Sequence, residues 1–295
     1  MSDTADTISA ADADRRPLVF GATGMVGELI LRRLAEAGRR PVGASRNPPA
    51  NSDVDWITAE LPLLDAATLP PLHTVFSAGP AVALSDALPA LAARGMQRLV
   101  VFTSTSLETK RNTDDPDERE MIRRWAEAER RIIDFCAAHA VACTVLRPTL
   151  IYREGRDANV SRIAALIRRF HFFPLAGGGE GLRQPVHADD LAQVAIAAAD
   201  RAICAGKIYN LPGGETLTYR EMVGRIFDGL GRPRLIVPVP GWVWRLAVPM
   251  LSPLLPGISG AIVLRMGKDM TFDPAPARTD IGWQPRPFRP DFRQQ

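Results

Sequence analysis

The turn Gly21-Ala-Thr-Gly-Met-Val-Gly27 constrains this chain more than any other stretch, because it joins the apolar run Leu18-Val-Phe20 to the helical pattern Met25-Val-Gly-Glu-Leu-Ile-Leu-Arg-Arg-Leu34. Its glycines follow Gly-x-x-Gly-x-x-Gly. The first permits a tight turn, the second lets backbone approach a phosphate, and the third allows a helix to pack closely on a strand. The helix N-terminus then faces the negative charge. Strand, glycine turn and helix in that order make the first half of a βαβ unit.

The rest of the N-terminal half repeats that alternation. Strand patterns fall over 18–21, 41–45, 55–59, 73–78, 99–103 and 143–147, and helical ones over 25–37, 84–94 and 118–138. Such alternation predicts an α/β fold, a doubly wound parallel sheet of the Rossmann type with helices on both faces. Residues 1–16 are polar and without periodicity, and read as a disordered tail. Residues 17–150 form the nucleotide-binding domain. Residues 151–295 are a mixed, smaller substrate-binding or lid region in which proline and glycine become frequent, with 185–210 returning to the sheet. A helix over 188–199 with Asp189 as its N-cap and an amphipathic helix over 216–230 are the helices expected there.

A chain of 295 residues with 46% hydrophobic content can bury a sizeable core, and its net charge of +3 gives no reason to expect nucleic acid as a partner. Cys136, Cys143 and Cys204 lack ligand spacing and sit in apolar surroundings, so buried free thiols are expected and no metal. With no apolar stretch in the first sixteen residues to act as a leader, the expected location is cytoplasmic. One segment, Trp242 to Met266, is apolar enough to invite comparison with a membrane span. Arg245, Arg265, Pro249, Pro253 and Pro256 interrupt it, which argues against a continuous spanning helix. It reads either as a lid over a hydrophobic small-molecule substrate or as a peripheral membrane contact.

The second strand ends Ala44-Ser45-Arg46-Asn47, without the carboxylate that would accept hydrogen bonds from an adenosine ribose. A hydroxyl and a forked cation suit a 2′-phosphate instead, which favours NADP(H) over NAD(H). Together with the glycine turn, the segments Leu146-Arg-Pro-Thr-Leu-Ile-Tyr152, Pro185-Val-His-Ala-Asp-Asp-Leu-Ala192 and Tyr209-Asn-Leu-Pro-Gly-Gly214 make the chain resemble the short-chain dehydrogenase/reductase superfamily, in its extended and atypical, epimerase/dehydratase-like branch. That resemblance implies that Gly21, Thr23, Gly24, Met25 and Gly27 wrap the pyrophosphate. It puts Glu60 and Leu61 near the adenine, Ser77, Ala78 and Gly79 near the ribose, and Pro148 and Thr149 near the nicotinamide. Thr105 falls where the family keeps a catalytic Ser or Thr.

The chain departs from the family at its acid/base. Enzymes of the usual kind use a Tyr whose pKa is lowered by a Lys four residues on; an unperturbed Tyr near 10 transfers protons poorly at neutral pH. Aligning Ala126-Glu-Ala-Glu-Arg130 on the family pattern puts Met121 at the Tyr position and Trp125 at the Lys position. No Tyr precedes Tyr152, and no Lys lies between Lys110 and Lys207. Glu120, Tyr152 and His187 are the candidate replacements, with Arg123 and Arg124 able to hold a charged group. Two readings follow: an oxidoreductase or epimerase-like enzyme with a non-standard acid/base, acting on an apolar carbonyl or a sugar-like substrate, or a non-catalytic NADP(H)-binding sensor or scaffold.

Overall fold

The computed structural model describes residues 16–240, 242–244 and 266–293. The expected tail, but for Arg16, and most of the apolar 242–266 segment lie outside those residues. In chain order the elements are β1 (Leu18–Phe20), α1 (Met25–Glu36), β2 (Val42–Ser45), β3 (Asp55–Thr58), β4 (Thr74–Ser77), α2 (Ala81–Ala93), β5 (Arg98–Phe102), α3 (Ser106–Thr109), α4 (Pro116–Ala138), β6 (Ala142–Pro148) and β7 (Ile151–Tyr152). There follow α5 (Val160–Phe170), β8 (Phe173–Ala176), β9 (Leu182–Arg183), β10 (Val186–His187), α6 (Ala188–Ala199), β11 (Lys207–Leu211), β12 (Leu217–Thr218), α7 (Tyr219–Gly229), β13 (Ile236–Val239) and α8 (Ala275–Ile281). The chain divides into two compact units. One runs through Leu107 and adds Glu120–Arg147 and Leu191–Tyr209; the other holds Glu108–Arg119, Pro148–Asp190 and the chain from Asn210 onward.

The first unit is built on a seven-stranded sheet of order β11-β6-β5-β4-β1-β2-β3, in which β1 to β6 pair in parallel. Its strands are short, near-continuous apolar runs because helices cover them: Leu18, Val19 and Phe20 are all buried, as are Leu99, Val100 and Val101. In α1, Val26, Leu29, Ile30 and Leu34 repeat at helical spacing and are buried, which fixes that helix against the sheet. Strand order reverses beside β1, between β2 on one side and β4 on the other. At such a reversal the connections diverge and leave a crevice at the carboxyl ends of the strands. Cys136, Cys143 and Cys204 are buried free thiols, as their surroundings imply.

The second unit has its own core, in which Tyr152, Ile167, Phe227 and Phe288 are among the buried residues. Helix α5 is absent from the expectations beyond Arg147. It carries Val160, Ile163, Ala164 and Ile167 buried at i, i+3, i+4 and i+7. The expected N-cap of the 188–199 helix is also corrected. Asp189 lies inside the first turn of α6, where its backbone N–H donates to Nδ1 of His187 at 3.1 Å. The Asp189 carboxylate is instead drawn to Arg286, at 2.8 Å. In α7 the start is a full capping box: the Thr218 hydroxyl accepts from the Glu221 N–H and the Glu221 carboxylate from the Thr218 N–H.

Candidate active site

The turn after β1 is shaped by close backbone contacts. Gly21 has φ +68°, a conformation L side chains rarely adopt, and a Cβ there would stand 2.8 Å from the Ala78 carbonyl oxygen and from the Gly79 nitrogen. Ala78 N–H donates to the Phe20 carbonyl at 3.0 Å, so the turn is pressed against the end of β4. A Cβ on Gly27 would collide with the Gly21 carbonyl oxygen. The glycines therefore do what the spacing predicts at the level of packing. Helix α1 begins after Gly24 with no side-chain cap, while Thr23 and Gly24 face solvent. At the last position of β4, the Ser77 hydroxyl oxygen is buried and has no hydrogen-bond partner. A buried polar atom in that condition at the edge of a crevice fits a ligand that supplies the partner.

The neighbouring strand ends carry the other predicted nucleotide contacts. Ser45 closes β2 and its hydroxyl accepts from the Asn47 N–H at 3.2 Å. The Arg46 side chain is 75% exposed and stands 3.9 Å from Glu60, so its guanidinium is in solvent and loosely paired. Leu61 is half-buried against the core of the unit. Beyond β5, Thr105 is buried. Ser45, Ser77 and Phe102 end β2, β4 and β5 at the carboxyl edge of the sheet, as Phe20 ends β1. Parallel pairing is what brings these distant segments to one edge.

Helix α4 changes from half-exposed to buried along one face. Met121 and Trp125, one turn apart, are each 36% exposed. Beside them, Glu120 is exposed and both its carboxylate oxygens accept from Arg123, at 2.8 and 2.7 Å. The hydrogen bond from Arg123 holds its carboxyl below the ordinary range, which leaves Glu120 an ionised partner of a surface arginine. One turn beyond Trp125, Glu129 is buried. Its Oε2 accepts from the Thr103 hydroxyl at 2.7 Å and from Arg147 Nε at 3.0 Å, and its other oxygen faces Arg147 Nη2. Sequence reasoning missed this network, because Ala-Glu-Ala-Glu-Arg reads as a solvated helix face. The only sequence hint is the helical spacing that puts Glu129 four residues after Trp125.

The remaining predicted residues belong to the second unit. Pro148 ends β6, and the Thr149 hydroxyl donates to the Gln184 carbonyl. Tyr152 is 1% exposed, with His187 and Phe288 edge-on to its ring at 5.0 and 4.8 Å between centroids. Burial pushes its phenol well above the ordinary value, with the Glu154 charge adding to the effect. His187 accepts from Asp189 at Nδ1, and its Nε2 stands 3.4 Å from Glu154. Burial alone would raise the Glu154 carboxyl, but hydrogen bonds from His187 and from backbone N–H groups outweigh it and hold it below the usual range. Among the described residues, no group of three His, Cys, Asp or Glu is placed to hold a metal ion, and no helix is long and apolar enough to cross a membrane.

The profile of the NAD dependent epimerase/dehydratase family matches residues 82–211. Over 227 residues the chain is 30% identical to (4-alkanoyl-5-oxo-2,5-dihydrofuran-3-yl)methyl phosphate reductase of Streptomyces griseus subsp. griseus, covering 73% of this chain and 74% of that protein. The chain belongs to this family. It falls in the extended, epimerase-like part of the short-chain dehydrogenase/reductase superfamily that its motifs resemble. A second relative, 2-alkyl-3-oxoalkanoate reductase of Stenotrophomonas maltophilia, is 25% identical with 91% of this chain and 94% of that protein covered. With two other curated relatives the match spans only 47% and 36% of their length, so the chain covers less than half of those proteins. Among solved structures, MoeE5 in complex with UDP-glucose and NAD has a TM-score of 0.70 at 20% identity, covering 92% of this chain and 94% of that one; this likeness establishes the shared Rossmann-type fold.

Proposed function

We propose that the chain is a nicotinamide-dependent reductase of an apolar carbonyl compound, with NADP(H) preferred over NAD(H) and no tyrosine–lysine pair. The observation that carries the reading is the cradle at Gly21, where close backbone packing, an uncapped helix start and the unpartnered Ser77 hydroxyl meet at the reversal of strand order. When bound, the nicotinamide supplies the hydride. The protein's part is to hold and orient. Gly21, Thr23, Gly24, Met25 and Gly27 would take the pyrophosphate, and Ser77, Ala78 and Gly79 the ribose. Glu60 and Leu61 would lie by the adenine, Pro148 and Thr149 by the nicotinamide, and Arg46, free to swing in solvent, would meet a 2′-phosphate.

Thr105 would donate its hydroxyl to the substrate carbonyl oxygen, and water would deliver the proton that a tyrosine provides in the usual enzymes. The names of the two reductases compared above each carry an alkyl or alkanoyl chain beside an oxo group, together with a carboxylate in one and a phosphate in the other, which supports a carbonyl substrate with an apolar chain. A second reading, binding of the nucleotide without turnover, is favoured by Met121 and Trp125. The two separate in an assay of NADPH oxidation over a panel of 2-alkyl-3-oxoalkanoates. Turnover that falls at least about tenfold in Thr105→Val at unchanged NADPH affinity supports the reductase. No oxidation of NADPH with any carbonyl, despite binding, supports the second reading.

A further inference from the structure

The second unit carries an apolar surface that neither reading uses. Phe170 and Phe172 are 42% and 38% exposed, with ring centroids 6.4 Å apart, and Leu235 and Val237 are 55% and 40% exposed. The parallel register of β8 and β13 pairs Ile236 with Phe173, and the Phe173 N–H donates to the Leu235 carbonyl at 3.0 Å. That register sets Phe172 and Leu235 side by side where the two strands begin.

Arginines surround these side chains, and among the described residues the partners they have are uncharged. The Arg169 guanidinium lies 5.3 Å over the Phe170 ring. Arg168 donates to the Phe292 carbonyl at 3.0 Å. Arg232 donates to the carbonyls of Ile167 and Arg168, which end α5, and stands 2.7 Å from Nδ1 of His171. Among the described residues, carbonyl and ring partners leave the positive charge uncompensated, whereas Arg234 alongside is answered by Asp228. No Asp or Glu occurs from Ala158 to Gly179 or from Gly229 to Trp244. An open hollow of about 370 Å³, lined by His171, Arg232, Pro233, Arg234 and Leu235, adjoins the patch.

We infer that this face docks on an anionic lipid surface. Exposed aromatic and aliphatic side chains beside uncompensated arginines match the two demands of a bilayer interface. The rings enter the boundary of the acyl chains, and the guanidinium forks take headgroup phosphates. The hollow beside Arg232 has room for one such phosphate. Neither demand involves the nucleotide cradle, so this inference stands apart from the proposed activity.

The test is co-sedimentation of the full chain with vesicles of equimolar phosphatidylcholine and phosphatidylglycerol, and with vesicles of phosphatidylcholine alone, with and without NADPH. The variants are Phe170→Ser/Phe172→Ser and Arg169→Gln, all at exposed positions, with thermal unfolding as the check that they fold. The expected result is binding to the anionic vesicles, weaker on neutral ones and in high salt. The double variant should lose about tenfold or more of the partitioning and Arg169→Gln less, with NADPH making no difference. Failure to bind anionic vesicles, equal binding to neutral ones, or binding that survives Phe170→Ser/Phe172→Ser would each overturn the inference. So would a concentration-dependent dimer lost with the same substitutions, which would make the face a contact between copies.

Discussion

The turn at Gly21 and the exposed face of α4 at Met121 and Trp125 lie in the same unit, and they differ in how much freedom the surrounding structure leaves each residue. In the turn, backbone meets backbone: neither Gly21 nor Gly27 can gain a Cβ without displacing Ala78, Gly79 or the turn's own carbonyl. On α4, Met121 and Trp125 are 36% exposed and could be many other residues without disturbing the fold. The lesson is that the identity of the glycines is written into the packing, while that of Met121 and Trp125 is not. Substitution is therefore costly at the turn and cheap on this stretch of the helix.

The strongest way to break the comparison is Gly27→Ala. Its methyl group would collide with the Gly21 carbonyl, so the turn must open; the expected cost is about 3 kcal/mol of stability together with loss of NADPH binding, read by urea unfolding and calorimetry. Glu129→Gln sharpens the other side, because it alters the buried stretch of α4 and leaves the exposed residues Met121 and Trp125 unchanged. Removing one charge of a buried pair removes the carboxylate that faces Arg147, and a loss of about 3 kcal/mol is expected in the same unfolding assay. Arg46→Ala should leave stability unchanged and weaken NADPH about tenfold while NADH affinity stays the same. Equal weakening of both would remove the 2′-phosphate role.

A smaller effect is expected from pH. The folded-state pKa of Glu154 is depressed, so its contribution to stability is present above the ordinary carboxylate value of 4.5 and lost as pH falls through the folded value. Glu154→Gln should accordingly flatten the acid limb of a plot of Tm against pH and leave the neutral plateau with a shallower drop. Least of all, Met121→Tyr/Trp125→Lys should shift unfolding by no more than about 0.5 kcal/mol. If the face is where the family chemistry occurs, the same double variant raises the rate of NADPH oxidation; a large destabilisation would instead show that Met121 and Trp125 are held in place by packing.

Much of this was legible in the residues because it is local. Strands β1 to β6 and the turn at Gly21 announce themselves through apolar runs and glycine spacing, and the structure has them where those signals fall, whereas β11 is not among the strands those signals predict. Helix α5 had a signal too, in Val160, Ile163, Ala164 and Ile167, but it is framed by Gly155 and by the proline- and glycine-rich stretch after Phe173. The pairing of β8 with β13 is long-range and runs through Pro174 and Pro238, which argue against strands when read alone. At α6 the Asp189-Asp190 pair looks like a cap, yet the ring of His187 takes that place and both carboxylates go to Arg286. Glu129 and Glu120 sit on one helix with similar neighbours in sequence. Only the fold reveals that one is buried against Thr103 and Arg147 and the other is in solvent.

The most direct test of the central claim, that the cradle at Gly21 holds a nicotinamide nucleotide without the usual acid/base pair, is calorimetric titration of the purified chain with NADPH and NADH after removal of any carried-over nucleotide. The account predicts saturable binding to one site per chain, tighter for NADPH than for NADH by about tenfold. No heat with either nucleotide would contradict it, and the glycine turn would then be a packing device alone.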